Sequence, residues 1–146
     1  MKKYVIVDID GTIANNSHRV HFISDPNNQD WNAFNMASDQ DLPIQDVIEL
    51  VKVLKHEYDI IFCTGRGKMA FVKTLRWIEE HLGFVAPLLM RADGDHRHDI
   101  KVKPELLVNA GIDFDDIQFI LEDRVSMVAH WRKLGLTVLQ PAIGDF

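Results

Sequence analysis

The sequence predicts an α/β fold, a single Rossmann-like domain whose mostly parallel sheet has roughly five strands. Two observations carry this reading. Short apolar runs alternate with amphipathic helical patterns along the chain, the order that builds right-handed crossovers between parallel strands. The 146 residues and 47% hydrophobic content suit one ordinary domain, residues 1–146, with one core and no disulfides.

The elements follow in order. Tyr4 to Asp8 is a β-branched run that ends in carboxylates, a strand. Residues 15–43 are polar and irregular, enough for a flap or minimal cap but not for a large cap domain. Asp46 to His56 places Val47, Leu50, Val51 and Leu54 on one helical face. Asp59 to Cys63 is the second strand, and Lys68 to Leu82 a helix with Phe71, Leu75 and Ile78 aligned. Pro87 to Met90 is the third strand. Pro104 suits the first turn of a helix through Val108, ended near Gly111. Ile117 to Leu121 is the fourth strand, Arg124 to Leu134 the last helix, stopped by Gly135, and Thr137 to Leu139 a weaker fifth strand.

A net charge of −6 argues against a broad basic surface tracking a nucleic-acid backbone, though it leaves room for a local positive site. The lone cysteine, Cys63, ends an apolar strand and reads as a small buried hydrophobe. The apolar stretch after Met1 is too short for a signal sequence, and no segment has transmembrane length. The expectation is a cytoplasmic protein with no membrane partner.

In open parallel sheets, ligands bind beyond the carboxyl ends of the strands. Four of the predicted strands deliver charge there. The first ends in Asp8-Ile9-Asp10-Gly11-Thr12, the second in Thr64-Gly65-Arg66, the third in Arg91 with Asp95, Arg97 and Asp99 behind it, and the fourth in Glu122-Asp123-Arg124. Carboxylates and arginines packed at one edge are costly unless ions sit among them. The set fits a divalent metal beside a phosphate. In Asp8-x-Asp10, a period of two points both side chains to one face, so one carboxylate can attack phosphorus while the other handles a proton. Thr64-Gly65-Arg66 offers a hydroxyl, a close backbone approach and a guanidinium fork. Glu122-Asp123 suits Mg²⁺, a hard ion that takes one or two carboxylates. Each signal alone has a plain structural alternative: a turn for Asp-Gly, a common loop for Thr-Gly, a helix N-terminus for the acidic pair.

The first motif, Thr64, a downstream lysine and Glu122-Asp123 together resemble the haloacid dehalogenase superfamily of phosphatases. The run from Met90 to Asp99, then Lys103, Glu122-Asp123-Arg124, Trp131-Arg132 and Gly144-Asp145-Phe146 resembles the phosphatase domain of phage-type polynucleotide kinase 3′-phosphatases. That resemblance implies Asp8 as nucleophile, Asp10 as general acid and base, Thr64 on the phosphoryl oxygens and Lys103, rather than Lys101, as the charge-neutralising lysine. It implies Mg²⁺ as cofactor, held by Asp8, the main-chain carbonyl of Asp10, Asp123, and Glu122 directly or through water. Arg19, Arg66 and Arg91 align with arginines that serve the substrate phosphate, Asp99 with a supporting carboxylate, and Arg124 is a further candidate. The implied function is removal of 3′-phosphate from DNA or RNA ends, with a separate kinase or ligase as partner. Glu122 stands where an aspartate is usual, and no G-x-x-x-x-G-K-[ST] loop is present.

Two other functions fit the same residues: a phosphatase of nucleotides or other small metabolites, and a non-catalytic receiver-like phosphate-binding module. A receiver has no use for an acid/base at Asp10. His96 and His98 crowd one loop without a zinc-site spacing and read as solvated. Trp77 and Trp131 lie in amphipathic patterns and read as core. Trp31 and Phe34 are the better candidates for touching substrate, with anchoring of the flap as the alternative.

Overall fold

Period-two alternation sorts the buried strand residues onto two faces of one sheet. The computed structural model describes residues 2–146. Its elements, in chain order, are β1 (Tyr4–Val7), β2 (Ala14–Asn15), α1 (Trp31–Met36), β3 (Leu42–Pro43), α2 (Gln45–Leu54), β4 (Asp59–Gly67), α3 (Phe71–Leu82), β5 (Leu88–Arg91), α4 (Asp99–Asn109), β6 (Ile117–Leu121), α5 (Val125–Lys133) and β7 (Val138–Leu139). The main sheet has five strands in the order β5-β4-β1-β6-β7, every pair parallel. The expected fold class holds.

Val5 and Val7 of β1 join Ile60 and Phe62 of β4 on one face, covered by Ile48 and Val51 of α2 and Trp77 and Ile78 of α3. Ile6, Ile61 and Cys63 point the other way, under Leu107 of α4 and Met127, Val128 and Trp131 of α5. Both faces are buried, as a parallel sheet with crossover helices requires. On α2 the buried stripe centres on Ile48 and Val51, and Leu50, expected on it, is exposed. No helix among the described residues is long and apolar enough to cross a membrane.

Two boundaries differ from expectation in ways that shape the site. β4 continues past Cys63 to Gly67, with its register against β5 shifting between Thr64 and Gly67. Thr64 and Arg66 therefore stand on a strand, not on a loop. α4 begins at Asp99 instead of Pro104, which lies inside it. His98 caps this helix, its Nδ1 accepting from the Ile100 N–H at 3.2 Å. A proline inside a helix forfeits one hydrogen bond, here the partner of the Ile100 carbonyl. Starting at Asp99 sets Asp99 and Lys103 four residues apart, on the same side of the helix.

Residues 15–43, the segment expected to form a flap, contain a short 3₁₀ turn (Ser17–Phe22), α1, and a second such turn (Ser38–Gln40). The antiparallel β2–β3 pairing of Ala14 with Pro43 and Asn15 with Leu42 closes the base of this segment.

Candidate active site

β1 delivers Asp8, whose N–H donates to the Leu121 carbonyl on β6 at 2.9 Å. The chain then turns: the N–H groups of Thr12, Ile13 and Ala14 all donate to the Ile9 carbonyl. Gly11 makes the turn at φ 78°, and a Cβ there would lie 2.0 Å from Asp123 Oδ2. Only glycine lets the two acidic segments approach this closely.

Asp8, Glu122 and Asp123 are buried, and each offers a carboxylate oxygen within 4.8 Å of the others. Lys103 reaches in from α4, its Nζ donating to Asp8 Oδ1 at 2.8 Å and Glu122 Oε2 at 2.7 Å. Lys101 is exposed. The Thr12 hydroxyl lies 3.0 Å from Asp8 Oδ2 and 3.2 Å from Asp123 Oδ1, able to donate to either. Three carboxylates against one ammonium leave two negative charges in a buried space. Burial first, and then the charge on Asp8, push Glu122 up to about 8 and Asp123 up to about 9. A hard divalent cation would supply the missing positive charge, so the donor set fits Mg²⁺. His96 and His98 take no part in this cluster, the group of potential metal ligands found among the described residues.

Asp10 lives in a different environment. Arg66 donates to it from Nε at 3.1 Å and Nη2 at 2.6 Å, and Arg19 Nη2 bonds its Oδ1. Burial alone would raise this carboxyl, but Arg66 and Arg19 outweigh it and hold it down at about 2. The two arginines are themselves buried and share a second carboxylate, Asp41, which accepts from Arg19 Nε at 2.8 Å and Nη2 at 2.6 Å and from Arg66 Nη2 at 3.1 Å. His18 Nε2 lies 2.7 Å from Asp41, and the Trp77 indole donates to its carbonyl. Arg66 also donates to the Thr74 hydroxyl at 3.0 Å. The resemblance aligned Arg19 and Arg66 with substrate-phosphate arginines; here their N–H groups are engaged by Asp10, Asp41, Thr74 and the Phe34 carbonyl.

Arg91 and Arg124 form a third group. Both bond Asp99, Arg124 through Nη1 at 2.8 Å, while Arg91 Nε donates to the Gly65 carbonyl at 2.8 Å. Burial would raise Asp99, but Lys103, Arg124 and Arg91 together lower it. Arg124 Nε donates to the Phe146 carbonyl, and its guanidinium lies 5.2 Å from the Phe146 ring centre. Thr64 is buried, its Oγ1 accepting from the Arg66 N–H. A cavity of about 380 Å³ brings these groups together: Asp8, Asp10, Thr64, Lys103, Arg91 and Arg124 line it, with the flap as one wall.

Asp41 and His18 had no sequence signal as members of the site, and Thr12, although part of the first motif, was given no role there. Asp41 sits in the irregular stretch before Pro43, with no motif around it, and is identified only by its partners. Cys63 behaves as expected: burial pushes its thiol up to about 12, and Sγ donates to the Lys103 carbonyl at 3.9 Å.

Residues 2–146 match the family described as the polynucleotide kinase PNKP phosphatase domain. The chain belongs to that family. A viral chain from Autographa californica nuclear polyhedrosis virus, named as a bifunctional polynucleotide kinase/RNA ligase, is 28% identical to this PNKP phosphatase domain over 145 residues, 97% of this chain and 20% of the viral one. A chain in the structure of the Pnkp1/Rnl/Hen1 RNA repair complex is 31% identical, with a TM-score of 0.81 over 100% of this chain and 44% of that one. The chain thus spans less than half the length of either relative. A haloacid dehalogenase-like hydrolase from Streptococcus pneumoniae is similar over 95% of this chain and 84% of its own, with a TM-score of 0.66 and 12% identity, a likeness of fold alone.

Proposed function

We propose that this domain is a Mg²⁺-dependent phosphomonoesterase that works through a phosphoaspartate on Asp8 and removes 3′-phosphate from DNA or RNA ends. One observation carries the reading: the two carboxylates of Asp8-x-Asp10 are held in opposite surroundings. Asp8 faces Lys103 and two further carboxylates, while Asp10 faces two buried arginines. That separation divides the labour between nucleophile and proton carrier.

An Asp8 oxygen attacks phosphorus, and the bond to the 3′-oxygen breaks. Asp10 gives that oxygen a proton. The incoming phosphate adds negative charge beside Asp10, which offsets its arginines and raises its proton affinity for this step. Water then attacks the phosphoaspartate, returns a proton to Asp10 and frees Asp8 and phosphate. Lys103 steadies the charge on Asp8, Thr64 binds phosphoryl oxygens, and Arg91 and Arg124, set by Asp99, line the approach. Arg19 and Arg66 act through Asp10. Asp8, Asp123 and the Asp10 carbonyl would hold Mg²⁺, which would supply neutralising charge for the transferring group. Glu122, whose oxygens already serve Lys103 and the Arg124 N–H, is suited to act through a water.

The relatives named for kinase/RNA ligase and RNA repair favour an end-healing role beside a kinase or ligase. The net charge of −6 favours the second reading, a nucleotidase. The test is phosphate release, with and without Mg²⁺, from matched oligonucleotides phosphorylated at the 3′ or the 5′ end and from nucleoside 3′- and 5′-monophosphates, with Asp8→Asn as control. Metal-dependent release favouring the 3′-phosphorylated oligonucleotide is expected; release from mononucleotides alone would make this a nucleotidase.

A further inference from the structure

The flap wall of the cavity differs chemically from its floor. Where the floor is carboxylates and cations, the wall carries Trp31, Phe34 and Asn35 of α1. Trp77 and Trp131 are buried in the two halves of the core, whereas Trp31 is 44% exposed. It is also held in place. Its indole N–H donates to Gln29 Oε1 at 3.2 Å, and its ring meets Phe34 edge-on, with centroids 5.6 Å apart and planes at 82°. Asp30 caps the helix by accepting from the Ala33 N–H at 2.9 Å.

This wall is tied to the chemistry through packed groups. The Arg19 guanidinium lies 4.2 Å from the Phe34 ring centre, Arg19 Nη1 donates to the Phe34 carbonyl at 3.1 Å, and Arg19 bonds Asp10. A ring resting on Trp31 is therefore registered against the proton carrier. Asn35, one helical turn beyond Trp31, faces the same cavity, its Nδ2 3.9 Å from the point where a side chain on Gly67 would begin.

A molecule of net charge −6 has little to offer a polyanionic backbone, so grip on a strand end must come from its last nucleotide. Flat aromatic surface supplies such grip without regard to base identity. We propose that Trp31 is the stacking platform for the nucleobase next to the scissile phosphate, with Asn35 as the polar contact to its sugar, so that α1 selects nucleotide ends over other phosphoesters. This rests on the phosphatase reading above and adds the group recognised.

The test compares kcat/KM for two 3′-phosphorylated oligonucleotides that differ only in whether the terminal sugar carries a base, using the unaltered protein, Trp31→Ala and Trp31→Phe. The unaltered protein is expected to prefer the base-bearing end about tenfold or more, a preference that Trp31→Ala brings close to parity and Trp31→Phe largely keeps. A preference absent from the unaltered protein, or undiminished in Trp31→Ala, would overturn the inference while leaving the phosphatase standing. Release from neither oligonucleotide would overturn the strand-end reading of the proposed function and the inference with it.

Discussion

Replacing Asp41 by asparagine isolates the part of the site that does not touch the acidic cluster. Arg19 and Arg66 carry two positive charges, and Asp10 and Asp41 balance them in a space where Arg19, Arg66 and Asp41 are essentially closed to solvent. Asparagine keeps the volume but removes the charge and turns an amide donor toward a guanidinium. Leaving one buried charge without its partner costs about 3–5 kcal/mol. In a chain of this size each kcal/mol lowers the melting temperature by about 2–4 °C, so a drop on the order of 10 °C is expected. The arginines would lose their anchor behind Asp10, and a displacement near 1 Å at a catalytic group reduces turnover about a hundredfold. Thermal melting and phosphate release measured on the same preparation give both numbers. Melting within about 2 °C of the parent, together with kcat within about threefold, would refute the claim that Asp41 holds the pair.

Gly144→Ala would place a Cβ 2.3 Å from Asp123 Oδ2 and 3.1 Å from the Arg124 Cα, so the Mg²⁺ concentration for half-maximal activity should rise about ten- to a hundredfold. Asp10→Asn should abolish turnover while Mg²⁺ binding, followed by calorimetry, persists, because the metal contact assigned to this residue is its carbonyl. Mg²⁺ affinity should climb with pH toward 9, since Glu122 and Asp123, raised to about 8 and about 9, must shed protons to bind metal. The same shifts fix a stability trend. The folded state without metal keeps protons that the unfolded chain releases near pH 4, so its melting temperature should fall between about pH 4 and 9, and Mg²⁺ should restore most at the alkaline end.

The sheet was legible because β1, β4 and β6 are continuous apolar runs and the intervening helices show a 3.6-residue period. The strand-end rule then located Asp8, Thr64 and Asp123 at one edge, since their local motifs coincide with the ends of those runs, whereas Lys103, on α4, was reached only through the family resemblance. Pro104 misled because a proline signals a first turn far more often than a helix interior, and the true start rests on a histidine cap that composition does not advertise. Arg66 was expected on a loop because Thr-Gly reads as a turn, whereas the register shift beside β5 keeps the chain extended. Asp41 was invisible for a different reason: its role depends on two arginines separated from it by 22 and 25 residues, and long-range pairing of this kind leaves no local period.

The most direct test of the central claim is acid quenching of the protein mixed with an oligonucleotide labelled in its 3′-phosphate, in the presence of Mg²⁺, followed by peptide mapping. Label on the peptide containing Asp8, absent in Asp8→Asn and formed no more slowly than phosphate is released, is the predicted result. Steady release of phosphate with no label on the protein at any quench time would contradict the covalent mechanism and leave Asp8 as a metal ligand only.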